Sequence, residues 1–386
     1  MATKDLGIIL HGATGRICST QHLQNALAPI RDEGGLPVGD DVVVPRLLLV
    51  GRNDERLAEV ARAHNVADWT TDLDAALADP QYSVFFEAAA THQRLATLGK
   101  AIAAGKHIYS EKPVAPTVDE GLALLRDIQA SGLKHGAVED KIYLPGFQKL
   151  NHLIESGFIG RIVNFRIEFG WWVFDGSDVE SQRPSWNYQS AGGGGLLSDM
   201  HPHWRYVIET FLGPIRQVVS TAWTAQPERI DEDGNTYSVD VEDSATTLLE
   251  LENGTFGTIL SSWATRIRTD DLMTLRVEGI DGSAVAGLRR CWAQSAADTP
   301  MIRGSNLGKD ANTSKDGAAF LDDWQEVSDT LPYKNPYRVG WEGFLRHIVA
   351  DAPFASDFAA GIRDVQLAEA CSQSAAKQAW VPLPQL

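Results

Sequence analysis

The feature that most constrains this chain is an apolar run that breaks at a glycine turn and restarts as a helix. It reads LGIILHGATGRICSTQHL, residues 6–23. An unbroken apolar run suits a strand buried on both faces, and the periodic positions after the turn suit a helix, expected to run to about Ile30. The pattern then repeats. RLLLVGRNDERLAEVARAHNV (46–66) is a second strand, turn and helix, and SVFFEAAA with QRLATLGKAIAAG gives a third pair. KHIYSEKP is a further strand, TVDEGLALLRDIQASG a helix, and KHGAVED a closing strand. That last helix is marked at both ends, by Thr117 as cap with Glu120 three residues on, and by Gly132 at its end. Strands and helices alternating at this spacing give an α/β unit, a doubly wound parallel sheet over roughly residues 1–140. The polar stretch RDEGGLPVGDDVVVP (31–45) reads as a surface insertion within it.

After about residue 150 the pattern changes. GRIVNFRIEFGWWVF, IRQVVSTAWTA and SATTLLELENGTFGTILSSWATR alternate in the manner of half-buried antiparallel strands, with ENGT as a hairpin turn. The second half is therefore α+β, mainly an antiparallel sheet. Its terminal helices, within 337–354 and 358–380, are expected to pack back on the first half. A length of 386 residues exceeds one ordinary core, and the two domains are expected at 1–145 and 146–386. With 34 basic against 51 acidic residues the net charge is -17, which repels nucleic acid and anionic membrane surfaces. No apolar run approaches the roughly 18 residues that span a bilayer, and the N-terminus lacks a signal-peptide layout. Cys18, Cys291 and Cys371 are odd in number and far apart, which suits reduced thiols and a cytoplasmic location.

Three stretches carry chemistry. Gly12, Ala13, Thr14 and Gly15 join the first strand to the first helix, whose start at Arg16 and Ile17 offers backbone amides to a pyrophosphate. The third glycine of such a turn is absent, because Cys18 stands there. The second strand ends in Gly51-Arg52-Asn53, where an acid for the ribose hydroxyls is usual. Arg52 can pair with a 2′-phosphate, as in an NADP site, stack on adenine in an NAD site, or lie in solvent, which leaves the cofactor's phosphate open; NAD is the expected cofactor, with NADP the alternative. Glu111-Lys112-Pro113 lies at the C-terminal edge of the sheet, where ligands bind, and a lysine there can do proton work. Finally GGGGLLSDMHPHW (192–204) sets four glycines before Asp199, His201 and His203. Asp199 and His203 share one helix face, whereas His201 is turned about 200° from His203 at roughly 100° per residue. A metal site is not expected from this set, which has no further ligand cluster.

GKHIYSEKP after a glycine-turn strand and helix, followed much later by GGGGLLSDMHPH, resembles the Gfo/Idh/MocA family of sugar and inositol oxidoreductases over nearly the whole chain. The resemblance implies an N-terminal Rossmann domain and a C-terminal α+β domain with a large open sheet. It implies that Lys112 contacts the reacting hydroxyl, with Asp199 and His203 completing the catalytic set. His203 is expected to accept the hydroxyl proton as hydride leaves for the nicotinamide. The glycine run is expected to pass close to sugar or nicotinamide, with Ser198 or Asp199 starting the helix. Glu111 joins the cofactor residues. Lys141 and Tyr143, with Asp140, are candidates for the nicotinamide end. Arg166, Trp172, Arg183 and Trp186 are candidates for substrate, Arg183 and Trp186 for an anionic substituent. His201 touches substrate or sits in a loop, and Arg205 reads equally as surface. The expected function is NAD(P)-dependent oxidation of a ring hydroxyl of a sugar or glycoside. The alternative is an NAD-dependent glycoside hydrolase acting on an anionic glycoside such as a sulfoquinovoside. A non-catalytic nicotinamide sensor is a third reading, against which the Lys-Asp-His set argues. Relatives bury their open sheet between subunits, so a homo-oligomer, dimer or tetramer, is expected.

Overall fold

Two sheets organise the chain. The computed structural model describes residues 2–267, 271–299, 321, 323–329 and 332–386. The first sheet holds β1 (Ala2–His11), β2 (Leu36–Val38), β3 (Asp41–Val50), β4 (Asp68–Thr70), β5 (Tyr82–Glu87), β6 (His107–Ser110) and β7 (His135–Ala137). Its order is β2-β3-β1-β5-β6-β7, with β4 also paired to β3. All pairs are parallel except β2 with β3. Chain direction across the sheet reverses between β1 and β5, so a crevice opens at their C-terminal ends. The expected surface insertion at 31–45 is corrected here: β2 turns back on β3 and adds an edge to the sheet. Leu36, Val38 and Val43 are buried, while Pro37 between them faces out on an edge strand, where it need not donate.

The first helix begins as a wide turn, Ile17–Leu27, in which the Ala28 N–H reaches back five residues to the Leu23 carbonyl. It continues as α1 (Ala28–Asp32), slightly past Ile30. Then come α2 (Asp54–Ala63), α3 (Leu73–Ala78), α4 (Thr91–Ala103) and α5 (Val118–Ser131). The start of α5 is the expected reciprocal cap. Thr117 accepts from the Glu120 N–H and donates to its carboxylate at 2.8 Å, and Gly132 closes the helix at φ 67°.

The second half opens with α6 (Pro145–Glu155), followed by β8 (Ile162–Gly170), α7 (Leu196–Phe211) and β9 (Ile215–Trp223). A small hairpin, β10 (Glu228–Ile230) and β11 (Thr236–Ser238), precedes β12 (Ser244–Leu251), β13 (Phe256–Ser262), β14 (Met273–Gly279), β15 (Gly282–Ala286), β16 (Cys291–Ser295) and β17 (Gln325–Glu326). Helices α8 (Pro336–Ala350) and α9 (Phe358–Lys377) and a short β18 (Val381–Pro382) end the chain. The nine strands run β17-β16-β15-β14-β8-β13-β12-β9-β18, antiparallel except for β8 with β13. The hairpin at ENGT joins β12 to β13, with Gly254 at φ 83°. Alternation divides this sheet: Phe165, Ile167 and Phe169 of β8 enter the core under α7, while Arg166 between them faces out.

The two last helices do different jobs. Trp341, Phe344 and Leu345 of α8 complete the core that holds Ile8, Phe86 and Tyr109. Helix α9 spans both halves, giving Phe358 and Ile362 to the first sheet and Leu367, Ala370 and Cys371 to the second. Phe358, Ile362 and Leu367 each contribute about 1.5–3 kcal/mol on full burial, so one helix anchors in both cores. Among the described residues no helix is long and apolar enough to cross a membrane, and no His/Cys/Asp/Glu group could hold a metal ion.

Candidate active site

The site forms where the β6 turn, the start of α7 and a short helical turn at Asp140–Tyr143 meet. Helix α7 begins at Leu196, earlier than Ser198 or Asp199, because Glu242 supplies its cap. The Glu242 carboxylate takes the Leu197 N–H at 2.9 Å and its carbonyl takes that of Leu196 at 3.0 Å. The glycine run has a different task from the one expected. A Cβ on Gly194 would stand 2.2 Å from the Asn187 carbonyl oxygen, and one on Gly192 would stand 2.7 Å from that of Trp186. Gly195 sits at φ 124° against Glu242. The glycines thus let the preceding loop fold back upon the helix start, which fixes where Asp199 and His203 emerge.

From α7 those two side chains meet the lysine of the first domain. Lys112 Nζ lies 2.8 Å from Asp199 Oδ1 and 2.8 Å from the Asp199 carbonyl. On its other oxygen Asp199 pairs with Arg183 Nη2 at 2.7 Å. The Arg183 guanidinium sits over Phe174 and Trp263, at 4.7 and 5.4 Å from the ring centres. Burial alone would raise the Asp199 carboxyl, but Arg183 and then Lys112 outweigh it and hold the group down at about 2. His203 is 7 % exposed, and its Nδ1 lies 2.7 Å from the Tyr206 hydroxyl. Burial, then the charges of Lys141, Lys112 and Arg183, push this imidazole well below its ordinary range. It is a neutral ring in a cationic setting. Tyr206 in turn donates to Asp140 Oδ1 at 2.9 Å, and Lys141 Nζ lies 3.4 Å from the other Asp140 oxygen.

The turn carrying Lys112 is held from behind. The Trp341 indole N–H donates to His22 Nδ1 at 3.0 Å, so His22 must carry its proton on Nε2 and give it to Glu111 Oε1 at 2.8 Å. The second Glu111 oxygen takes the Lys112 backbone N–H at 3.1 Å. Arg94, also buried, donates to the Pro113 carbonyl and to that of Ala89. Glu111 is therefore corrected from a cofactor residue to a buttress: its carboxylate faces the interior.

The glycine-turn residues expected to meet the cofactor lie at the β1 edge of the crevice. Gly12 and Ala13 donate their amides to the Val50 carbonyl, and Gly15 donates to Gly12. Gly12 requires glycine, at φ 78° with a Cβ position 2.8 Å from Ala88. No side chain caps the helix at Ile17–Leu27, and no acid occupies its first turn, which leaves the amide end fit for a phosphate anion. Thr14 is half-buried there, and Arg16 is exposed at the helix start. Arg52 is exposed beyond β3, while Asn53 caps α2 through the Arg56 N–H at 2.9 Å.

Other substrate candidates divide. Lys141 and Arg183 join the charge cluster. Arg183 pairs with Asp199, a carboxylate it shares with Lys112. Trp172 and Trp186 stay about half exposed on the loop that carries Arg183, Trp172 beneath the Arg266 guanidinium at 5.1 Å. Tyr143 turns from the cluster to pack beside Gly340 of α8. Arg166 is corrected outright, since it lies on the outer face of the sheet, opposite α7. His201 is corrected too: it is fully buried, with Nε2 3.1 Å from Thr247 Oγ1 on β12. Arg205 is buried rather than superficial, bound to Glu139, to Asp364 at 2.6 Å and to the Ala360 carbonyl at 2.8 Å. Sequence reasoning missed Tyr206, His22 and Arg94. Only Tyr206 left a trace, three residues after His203 on the same helix face.

Residues 7–136 match the oxidoreductase family with NAD-binding Rossmann fold, and residues 147–285 match the GFO/IDH/MocA C-terminal domain. The chain is 41% identical over 384 residues to the D-xylose dehydrogenase of Paenarthrobacter nicotinovorans, covering 98% of this chain and 97% of that one. It is 26% identical over 361 residues to the levoglucosan dehydrogenase of Pseudarthrobacter phenanthrenivorans, covering 88% and 90%. A solved levoglucosan dehydrogenase in complex with NADH and levoglucosan superposes with a TM-score of 0.80 at 23% identity, over 99% of this chain and 100% of that one. With both halves matched and a relative of this identity aligned along nearly its full length, the chain belongs to the Gfo/Idh/MocA family of NAD-binding oxidoreductases.

Proposed function

We propose that this protein oxidises a ring hydroxyl of a small neutral sugar, a pentose such as D-xylose foremost, with NAD. The observation that carries the reading is the junction of Lys112, Asp199 and His203, 2.8 Å between the first pair and one helix turn between the second. The 41% relative named D-xylose dehydrogenase supports the substrate class. The hydrolase alternative has no comparable support.

When bound at the β1 crevice, NAD supplies the hydride acceptor. Everything else falls to the chain. Lys112 Nζ, a three-donor ammonium, can hold the reacting hydroxyl oxygen while keeping Asp199, and stabilises the negative charge that grows there. His203 Nε2 takes the proton. Asp199 stays ionised beside Lys112 and fixes its direction. The Glu111 buttress keeps the lysine backbone from drifting, which matters because misplacement by about 1 Å can cost roughly 100-fold in rate.

The test is a panel of aldoses with NAD, read by formation of reduced nicotinamide. Turnover of a pentose is expected, falling by roughly 100- to 10,000-fold in Lys112→Met with cofactor affinity little changed. Cofactor binding without turnover of any aldose sinks the reading. We also place the domain division near residue 145, and infer that the open face of the second sheet joins copies of the chain.

A further inference from the structure

We propose that Asp140 and Tyr206 form a positioning pair that holds His203 in the one tautomer able to act as a base. This rests on the role given to His203 above.

The inference follows from counting protons on the Tyr206 oxygen. A phenol has one O–H to give and two lone pairs to receive with. Its hydrogen goes to Asp140 Oδ1, 2.9 Å away, where the carboxyl oxygen accepts. Its lone pairs face two neighbours, the Lys141 backbone N–H at 3.3 Å and His203 Nδ1 at 2.7 Å. With the hydroxyl proton committed, Nδ1 can complete the set only as a donor. The His203 proton therefore sits on Nδ1, and Nε2 is left as a lone pair. Burial and the charge of Asp140 keep Tyr206 itself well above the usual phenol range, so it does not surrender its proton. Asp140 cannot replace it, because its Oδ1 lies 3.8 Å from His203 Nδ1.

The pair also ties the base to the other domain. Asp140 follows the last strand of the first sheet, and Tyr206 lies on α7. The residues just before them are joined likewise, Glu139 to Arg205. Two adjacent contacts thus register α7 against the first domain, and one of them sets the proton on His203. Once His203 accepts a proton at Nε2, the Nδ1–H still points along Tyr206 to Asp140, which stabilises the imidazolium.

Tyr206→Phe and Asp140→Asn remove the two members at nearly constant shape. The first readout needs no substrate: ring-nitrogen NMR shifts of histidine-labelled protein, with His203 assigned by its loss in His203→Gln. The whole protein is expected to show His203 as Nδ1–H with a bare Nε2, and Tyr206→Phe to show a mixture. Finding His203 as Nε2–H in the unaltered protein overturns the proposal. The second readout is turnover. Each variant is expected to lose roughly 10- to 100-fold in kcat with KM for NAD and sugar within about twofold. The double variant should lose about as much as either single one, since the pair acts as a unit. Additive losses, or losses in KM alone, overturn it. An unaltered protein that turns over no sugar overturns the function proposed above, while the NMR arm still decides the tautomer.

Discussion

Burial pushes the His201 imidazole down to about 3, although Thr247 offers a hydrogen bond to Nε2 and no charge lies near. The consequence is a stability that depends on pH. In the unfolded chain this ring titrates near its ordinary 6.5, whereas the folded protein keeps it neutral to about 3. Between those values the unfolded state binds more protons, so stability is full above about 6.5 and is lost as pH falls through the window. The slope is at most about 1.4 kcal/mol per pH unit for one such group. His107 and His135 are also lowered, chiefly by burial, and act with the same sign. His201→Gln, which keeps a polar group for Thr247, should flatten the acid side of a denaturation midpoint against pH. Sugar KM should be unchanged, since His201 lies outside the site. An unchanged acid slope in that variant refutes the assignment.

At the scale of elements, α7 concentrates the ties between domains, and Arg205 is one of them. Its guanidinium faces Glu139 from the first domain, Glu209 on its own helix and Asp364 on α9. Burial holds the Asp364 and Glu139 carboxyls up even with that arginine beside them, so neither tolerates losing it. Arg205→Met should cost about 3–5 kcal/mol of unfolding free energy, because it leaves buried carboxylates without a counter-charge. Denaturant unfolding checks this, and a loss below about 1 kcal/mol would mean the carboxylates simply take up protons. None of this was legible in the sequence. An arginine on a helix carries no mark of burial, and its partners stand 66 and 159 positions away. The Asp199–His203 pair was legible because the helical repeat alone puts them on one face. The purpose of Gly192–Gly195 was not, since it depends on a loop doubling back so that Trp186 and Asn187 touch the run. Glu111 failed for the same reason: the crevice position was readable, but the inward partner, His22, was not.

For the whole molecule the open sheet is the remaining question. Pairing puts Val219 of β9 and Thr258 of β13 opposite Leu248, and Leu260 opposite Thr246, all on the face away from α7. Leu248, Phe256 and Leu260 are 36, 45 and 40 % exposed, and Trp380 stands edge-on to Phe256. Farther along the same face, β8 and β14 present Arg166, Glu168, Arg276 and Glu278. An apolar patch bordered by both signs of charge is the surface on which the proposed contact between copies would fall. The net charge of -17 opposes casual association. Leu260→Arg puts a charge at the centre of the patch, on the side of the sheet opposite Lys112 and His203. Light scattering should then find the unaltered chain as a multiple of its 42.1 kDa mass and the variant displaced toward one copy, with NAD binding retained. A single-copy mass for the unaltered chain at micromolar concentration, or an unmoved mass in the variant, removes this face as the contact between copies.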